Sequence, residues 1–153
     1  NTGPYAQYTY ARTSGILAKA GSFEDMTSMT EMTATERELI KTLSLFPNKT
    51  KSAIDEMEPS VITRYAIDVC NAFNRFYQAC PIASCEDASR RAFRLALTRG
   101  TRDILGKALE LICIKDDVLS GIIIFNSENF LFRLSRIGSI DSAFDGNIQN
   151  ILV

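Results

Sequence analysis

The chain has 153 residues, of which 46% are hydrophobic, and its 17 basic and 18 acidic residues leave a formal charge of -1. This length fits one compact domain with a tail, and the apolar content argues against global disorder. The near-zero charge excludes a uniformly basic nucleic-acid binder. Because there is no histidine, catalytic His bases, Ser-His and Cys-His pairs and His-dependent metal sites are excluded as well.

The four cysteines, Cys70, Cys80, Cys85 and Cys113, form no CxxC pair. A tetrahedral zinc site needs closely spaced ligand pairs, so we expect buried, reduced thiols and no metal site. No run approaches the ~18 apolar residues of a spanning helix, so we expect no membrane partner and a cytoplasmic location. The chain starts with Asn rather than Met, which indicates a piece of a longer polypeptide.

The first predicted element is a helix that opens at Gly3-Pro4 and continues to about Gly21, since proline suits the first helical turn. Residues 21–32 lack periodicity and are typical of a loop. Thr33 with Glu36 three residues later matches a capping box. The helix that follows carries an apolar stripe and should stop before Pro47; the stripe is Leu39, Ile40 and Leu43.

A short helix is predicted over residues 48–57, with Ala53, Ile54 and Met57 facing inward. The clearest helix starts at Pro59-Ser60 and must end before Pro81. Its apolar residues step by three and four: Ile62, Tyr65, Val69, Phe73 and Phe76.

After a loop over residues 82–87, a long helix repeats the same steps. Its main stripe is Phe93, Leu97, Gly100, Ile104, Ala108 and Leu111, and a second stripe is Leu105, Leu109 and Ile112. No segment before residue 120 shows convincing alternation. The sequence therefore predicts an all-α helical bundle.

Residues 120–153 differ in kind. They contain a short β-branched run at 122–125 and a segment at 129–140 that is compatible with an amphipathic helix. We therefore divide the chain into a helical bundle, residues 1–119, and a C-terminal extension, residues 120–153, of unknown structure.

Charge is distributed unevenly along the chain. Residues 64–107 hold eight basic and four acidic residues, whereas residues 1–63 and 108–153 are each net acidic. The excess lies on the two longest predicted helices. A solvated helix face and an electrostatic footprint for phosphate both remain open interpretations.

Tyr5, Tyr8 and Arg12 fall within a 60° sector of the first helix at 100° per residue. Two phenol rings beside a guanidinium suit unpaired bases of a nucleic-acid loop, but they also suit a helix–helix interface. Tyr77, at a helix end beside a loop, has the same two interpretations. Carboxylate pairs occur at predicted helix ends, where solvated charge is expected, so no catalytic residue is predicted.

The first twelve residues resemble the TGPYxQYxxxR segment at the entry to the C-terminal domain of arginyl-tRNA synthetases. Further runs are similar to the anticodon-binding domain of that family: Glu58-Pro59-Ser60, residues 71–77 and residues 94–97. The Asp-Ala-Leu-Arg motif that names this domain is replaced here by Arg91-Ala92-Phe93-Arg94. The resemblance extends from residue 1 to about residue 119.

The resemblance implies binding of the tRNA-Arg anticodon loop by Tyr5, Tyr8, Arg12 and Tyr77. It also implies a parent arginine–tRNA ligase that uses ATP and Mg in a separate catalytic domain, whose HIGH-type signature a chain without histidine cannot hold. We expect no cofactor in this chain itself, and tRNA-Arg and the catalytic domain as its partners. The alternative is a helical protein-interaction module that has lost RNA binding.

Two departures from the family pattern lie near the end of the resemblance. Residues 111–114 replace a Leu-Leu-Gly motif, and Ser120 lies near the expected terminal methionine. The extension that follows is compatible with a lineage-specific addition, a frameshifted end or an artificial one. The C-terminal side of the expected anticodon pocket is therefore undefined by the sequence.

Overall fold

The structure, a computed structural model, describes residues 2–23 and 31–112. This part of the chain contains five helices and no strand: α1 (Thr2–Ala20), α2 (Ala34–Ser44), α3 (Phe46–Asp55), α4 (Ser60–Ala79) and α5 (Ala88–Leu111). The prediction of an all-α bundle is confirmed. The segments predicted at 122–125 and 129–140 lie outside the described residues.

The helix ends follow local chemistry. At the start of α2, Thr33 Oγ1 accepts from the Glu36 N–H at 3.2 Å, and Glu36 Oε2 accepts from the Thr33 N–H at 2.8 Å, so the predicted capping box is present. Asp87 caps α5 by accepting from two backbone N–H groups of its first turn. Gly21, with a φ of 69°, follows the end of α1, a conformation that glycine adopts without a Cβ penalty.

Helix α4 lies at the centre and packs against each of the other four helices, whereas α1 packs mainly against α5. The five residues of the predicted α4 stripe are all buried. On α5, every predicted stripe residue is buried except Gly100, which is half-buried. Periodic apolar spacing therefore identified the buried faces of the two longest helices.

The prediction for α3 was partly wrong. Ala53 is buried as expected, but Ile54 is 39% exposed and Met57 is 63% exposed. Helix α3 ends at Asp55, so Met57 is no longer in phase with the stripe, and its φ of 53° directs the chain out of the helical path.

Four threonines are completely buried within the bundle: Thr9, Thr13, Thr98 and Thr101. Each hydroxyl donates to a backbone carbonyl three or four residues earlier in its own helix. Among the described residues, no buried side-chain nitrogen or oxygen lacks a hydrogen-bond partner. The bundle thus buries hydroxyl groups without the cost of unsatisfied polar atoms.

A buried ion pair joins α2 to α5. Arg94 Nε donates to Glu36 Oε1 at 2.8 Å, and Arg94 Nη1 donates to the Pro81 carbonyl at 2.6 Å. Burial raises the pKa of Glu36, but hydrogen bonds from Thr33 and Arg94 outweigh it and hold that pKa below its usual value. Arg94 is 6% exposed, so it is neither a solvated charge nor part of a phosphate footprint.

The described cysteines are free thiols. Cys70 and Cys80 are buried, as expected, and burial raises the pKa of Cys70 to about 11 against the opposing hydrogen bond from Thr9. The prediction was wrong for Cys85, which is half-buried in the loop between α4 and α5. Cys113 lies outside the described residues.

The composition and geometry of residues 2–23 and 31–112 bear on membranes and metals. No helix there is long and apolar enough to cross a bilayer. No group of three or more His, Cys, Asp or Glu side chains in the same residues is placed to hold a metal ion.

Candidate nucleic-acid interface

Helix α1 and the last turn of α4 bring Tyr8, Arg12 and Tyr77 together. The guanidinium carbon of Arg12 lies 4.8 Å from the centre of the Tyr8 ring and 5.6 Å from that of the Tyr77 ring. Both distances are within the range of cation–π attraction. Arg12 Nη2 also donates to the Tyr8 hydroxyl at 2.8 Å, so the guanidinium is held in place by both tyrosines.

Tyr8 and Tyr77 are the two large aromatic side chains that the described residues expose most, at 60% and 40%. The Tyr77 ring stacks against Phe73 with a centroid distance of 6.0 Å and an interplanar angle of 22°. Because Phe73 is fully buried, it fixes the Tyr77 ring against the core. An exposed ring on a rigid support offers a stacking surface at low entropic cost.

Tyr5 shares the helix face of Tyr8 and Arg12 but has different neighbours. Its side chain is half-buried and packs against the core. Its hydroxyl donates to Asn71 Oδ1 at 3.0 Å and accepts from Asn74 Nδ2 at 2.8 Å. The structure therefore connects Tyr5 to Arg12 through α4 rather than by direct contact.

Sequence reasoning missed Asn71 and Asn74 as members of this cluster. Asn74 Oδ1 accepts from Arg12 Nη1 at 3.1 Å, so one amide joins Arg12 to Tyr5. In the sequence they stood out only as part of the run at residues 71–77, with Asn71 two turns and Asn74 one turn before Tyr77. Their contacts with α1 span more than 60 residues, which no local pattern can reveal.

An open groove of about 1450 Å³ runs from this cluster to the loop before α5. It exceeds the roughly 300–1,000 Å³ of typical small-molecule pockets. The described residues that line it include three cations and no carboxylate. Its cationic and aromatic lining residues are Tyr8, Arg12, Lys19, Phe23, Tyr77 and Arg91.

Most other basic residues of the region 64–107 are paired with carboxylates. The exposed pairs are Arg64–Glu58, Arg75–Glu38, Arg102–Asp103 and Lys107–Glu110. These pairs neutralise charge on the helix surfaces away from the groove. The local excess of positive charge is therefore at the groove, where it favours an anionic ligand.

Residues 6–116 match the family model of the DALR anticodon binding domain. The match covers more than half of the chain. The chain belongs to this family. No solved structure matches it.

Curated relatives of this DALR domain are arginine–tRNA ligases. One from Clostridium botulinum (strain Alaska E43) is 39% identical over 114 residues, and one from Clostridium acetobutylicum (strain ATCC 824) is 44% identical over 114 residues. In both cases the alignment covers 74% of this chain and 20% of the relative. The chain thus spans about a fifth of the relatives' length, and its resemblance to the arginyl-tRNA synthetase domain is confirmed.

The residues that stand in place of the family's four-letter motif have separate tasks in this DALR domain. Arg94 belongs to the buried ion pair with Glu36, and Phe93 is buried in the core. Arg91, three residues earlier, is exposed and lines the groove. Of the four residues at the place of the motif, one arginine therefore stabilises the core and the other belongs to the candidate interface.

Proposed function

We propose that this DALR domain binds the anticodon loop of tRNA-Arg through Tyr5, Tyr8, Arg12 and Tyr77. One observation carries the proposal: the Arg12 guanidinium lies beside two exposed tyrosine rings at a groove whose described lining includes no carboxylate. Unpaired loop bases offer flat faces for stacking and acceptor atoms for an arginine. The surface has the chemistry for both.

The energetic contributions fall into three parts. Stacking on Tyr8 and Tyr77 supplies about 1–3 kcal/mol per base. Arg12 uses two of its five donors in the described contacts with Tyr8 and Asn74, which leaves three for acceptor atoms of a ligand. Lys19 and Arg91, both exposed at the groove, attract the phosphate backbone.

The relatives are arginine–tRNA ligases, which supports a larger context. We assign this domain to an arginine–tRNA ligase of the cytoplasm that charges tRNA-Arg with arginine. The ATP- and Mg²⁺-dependent chemistry then belongs to a catalytic domain outside these 153 residues. The family match over residues 6–116 supports residues 1–119 as the binding domain and residues 120–153 as an extension.

The test is binding of the 153-residue chain to a tRNA-Arg transcript and to the same transcript with its central anticodon base changed. Both are measured at two salt concentrations. We expect a preference for the native anticodon that persists at the higher salt. If both transcripts bind equally and the binding falls steeply with salt, then phosphate contacts are the only contribution. That result would contradict anticodon recognition.

A matched pair of variants assigns the preference to the site. Arg12→Gln and Arg64→Gln each remove one positive charge, but Arg64 lies roughly 20 Å along α4 from Tyr77. We expect Arg12→Gln to abolish the preference and Arg64→Gln to keep it. If neither the parent chain nor the Arg64 variant binds RNA, the proposal that these 153 residues bind the anticodon loop by themselves is contradicted.

A further inference from the structure

Asn74 lies on α4 and forms hydrogen bonds with two of the proposed RNA-contacting residues of α1. In the described contacts, no other side chain of a different helix does so. Its Oδ1 accepts from Arg12 Nη1 at 3.1 Å, and its Nδ2 donates to the Tyr5 hydroxyl at 2.8 Å. Asn74 is half-buried, so these bonds form where water competes less well for the same groups. It links α4 to the face of α1 that carries the site.

The chemistry of the neighbours dictates how the amide is turned. Arg12 has donors and no acceptor, so only the carbonyl oxygen of Asn74 can face it. The amide nitrogen must then donate to the Tyr5 hydroxyl, and that hydroxyl donates in turn to Asn71 Oδ1 at 3.0 Å. A flipped amide would set donor against donor at Arg12.

We propose that Asn74 is a positioning residue of the RNA interface, which orients the Arg12 guanidinium for recognition. The proposal rests on the proposed function and extends it. With Asn74 at Nη1 and Tyr8 at Nη2, the plane of the guanidinium is fixed by two anchors. Its free N–H groups then have defined directions before any ligand arrives.

The ligand atoms that Arg12 addresses must be acceptors, because all its groups donate. In an RNA loop these are carbonyl oxygens and ring nitrogens of bases, or phosphate oxygens. The two sources differ in a measurable way: base edges give sequence preference, and phosphates give salt dependence.

The first experiment concerns the free protein and needs no RNA. NMR relaxation of the Arg12 Nε–H group reports its order in the parent chain, in Asn74→Ala and in Asn71→Ala. Asn71 is the matched control, because it bonds to Tyr5 but not to Arg12 in the described contacts. We expect an ordered Arg12 in the parent and in Asn71→Ala, and a mobile Arg12 in Asn74→Ala.

The second experiment measures binding of the native and base-changed transcripts at two salt concentrations. We expect Asn74→Ala to reduce the preference for the native anticodon about tenfold, and Arg64→Gln, on the same helix but outside the groove lining, to change it less than about twofold. In an Arg12→Ala background, Asn74→Ala should change affinity less than about twofold, since positioning acts through Arg12. Asn74→Leu, which fills the same space, replaces the alanine variant if that variant does not fold.

The outcomes separate the two proposals. An Arg12 that stays equally ordered without Asn74, or a full Asn74 effect in the Arg12→Ala background, overturns the positioning role. A parent chain without anticodon preference overturns the proposed function, while the relaxation data still decide whether Asn74 holds Arg12. If Asn74→Ala lowers the affinity for both transcripts equally and makes that affinity less dependent on salt, Arg12 contacts phosphate. That result overturns the role of Asn74 in orienting Arg12 toward a base.

Discussion

Arg94 and Glu36, 58 residues apart, form an ion pair at 2.8 Å in the interior of the bundle. The same carboxylate closes the capping box of α2, and the same guanidinium holds the Pro81 carbonyl. Two side chains thereby join the start of α2, the turn after α4 and the second turn of α5. The groove is built on that corner, since Pro81 and the first residues of α5 line it.

Removal of one partner of this pair should be costly. We expect Arg94→Leu to lower the free energy of unfolding by about 3–5 kcal/mol, because Glu36 would remain buried without its counter-charge. Urea denaturation measures the change. Arg75→Leu is the control: it breaks the exposed pair with Glu38 and should cost less than about 1 kcal/mol. Equal losses for the two variants would contradict the burial of the pair.

The lowered pKa of Glu36 predicts that the free energy of unfolding depends on pH. Its pKa is lowered in the folded state, so its stabilisation is fully present above the unfolded value of about 4.3 and is lost as pH falls toward the folded value. The gap in unfolding free energy between the parent chain and Glu36→Gln should therefore narrow from about pH 5 to pH 3. Glu38→Gln, which removes an exposed carboxylate of the same helix, is the control. A constant gap would refute the lowered pKa.

Thiol labelling tests the burial of the cysteines. In a Cys113→Ser background, we expect Cys85 to react with a thiol reagent in the native protein. Cys80 is 1% exposed and Cys70 is 0% exposed, so both should react only when the bundle opens. At pH 8 the raised pKa of Cys70 further reduces its thiolate fraction. Mass spectrometry of the labelled peptides identifies the sites, and early labelling of Cys70 would contradict its burial in the core.

Two helical glycines of α5 should respond differently to alanine. A Cβ at Gly100 would lie 3.8 Å from Leu43, an ordinary contact, whereas a Cβ at Gly106 would lie 3.1 Å from the Tyr10 ring. We expect Gly100→Ala to raise the free energy of unfolding by about 0.5–1 kcal/mol through helix propensity. Gly106→Ala should gain less, because Tyr10 must shift. Thermal unfolding of both variants checks the order, and a larger gain at Gly106 would contradict the close packing of α1 on α5.

Two substitutions of Tyr8 separate the contribution of base stacking to RNA binding from that of the hydrogen bond with Arg12. Tyr8→Phe keeps the ring and loses one of the two anchors of Arg12, so we expect it to retain the stacking contribution but to weaken the preference for the native anticodon. Tyr8→Ala removes the stacking surface and should cost about 1–3 kcal/mol of binding. Leu45→Ala, which truncates another exposed apolar residue, should have no effect. An alanine variant that binds like the parent chain would show that no base stacks on Tyr8.

Local chemistry made much of the fold predictable. Three predicted features depend only on residues close together in the sequence, and the structure agrees with all of them. They are the capping box at Thr33, the end of α4 before Pro81 and the buried stripe from Ile62 to Phe76. The apolar pattern misplaced Ile54 and Met57 because a ten-residue helix offers too few turns to define its buried side.

The remaining features depend on contacts between distant segments. In the sequence, Arg94 was one of several arginines, and only the approach of α2 makes it a core residue. The face shared by Tyr5, Tyr8 and Arg12 follows from helix geometry alone. Asn74 gains its importance from the crossing of α1 and α4, which depends on the packing of the whole bundle.

The packing of α1 on α5 has a consequence for the order of events during synthesis. Tyr8 and Arg12 leave the ribosome before the helix that supports α1, which begins only at Ala88. At roughly 5–20 residues per second, α1 waits several seconds for this support. The described interface is therefore among the last parts of the bundle to assemble, and a nascent chain that stops before α5 presents its tyrosines without the groove beside them.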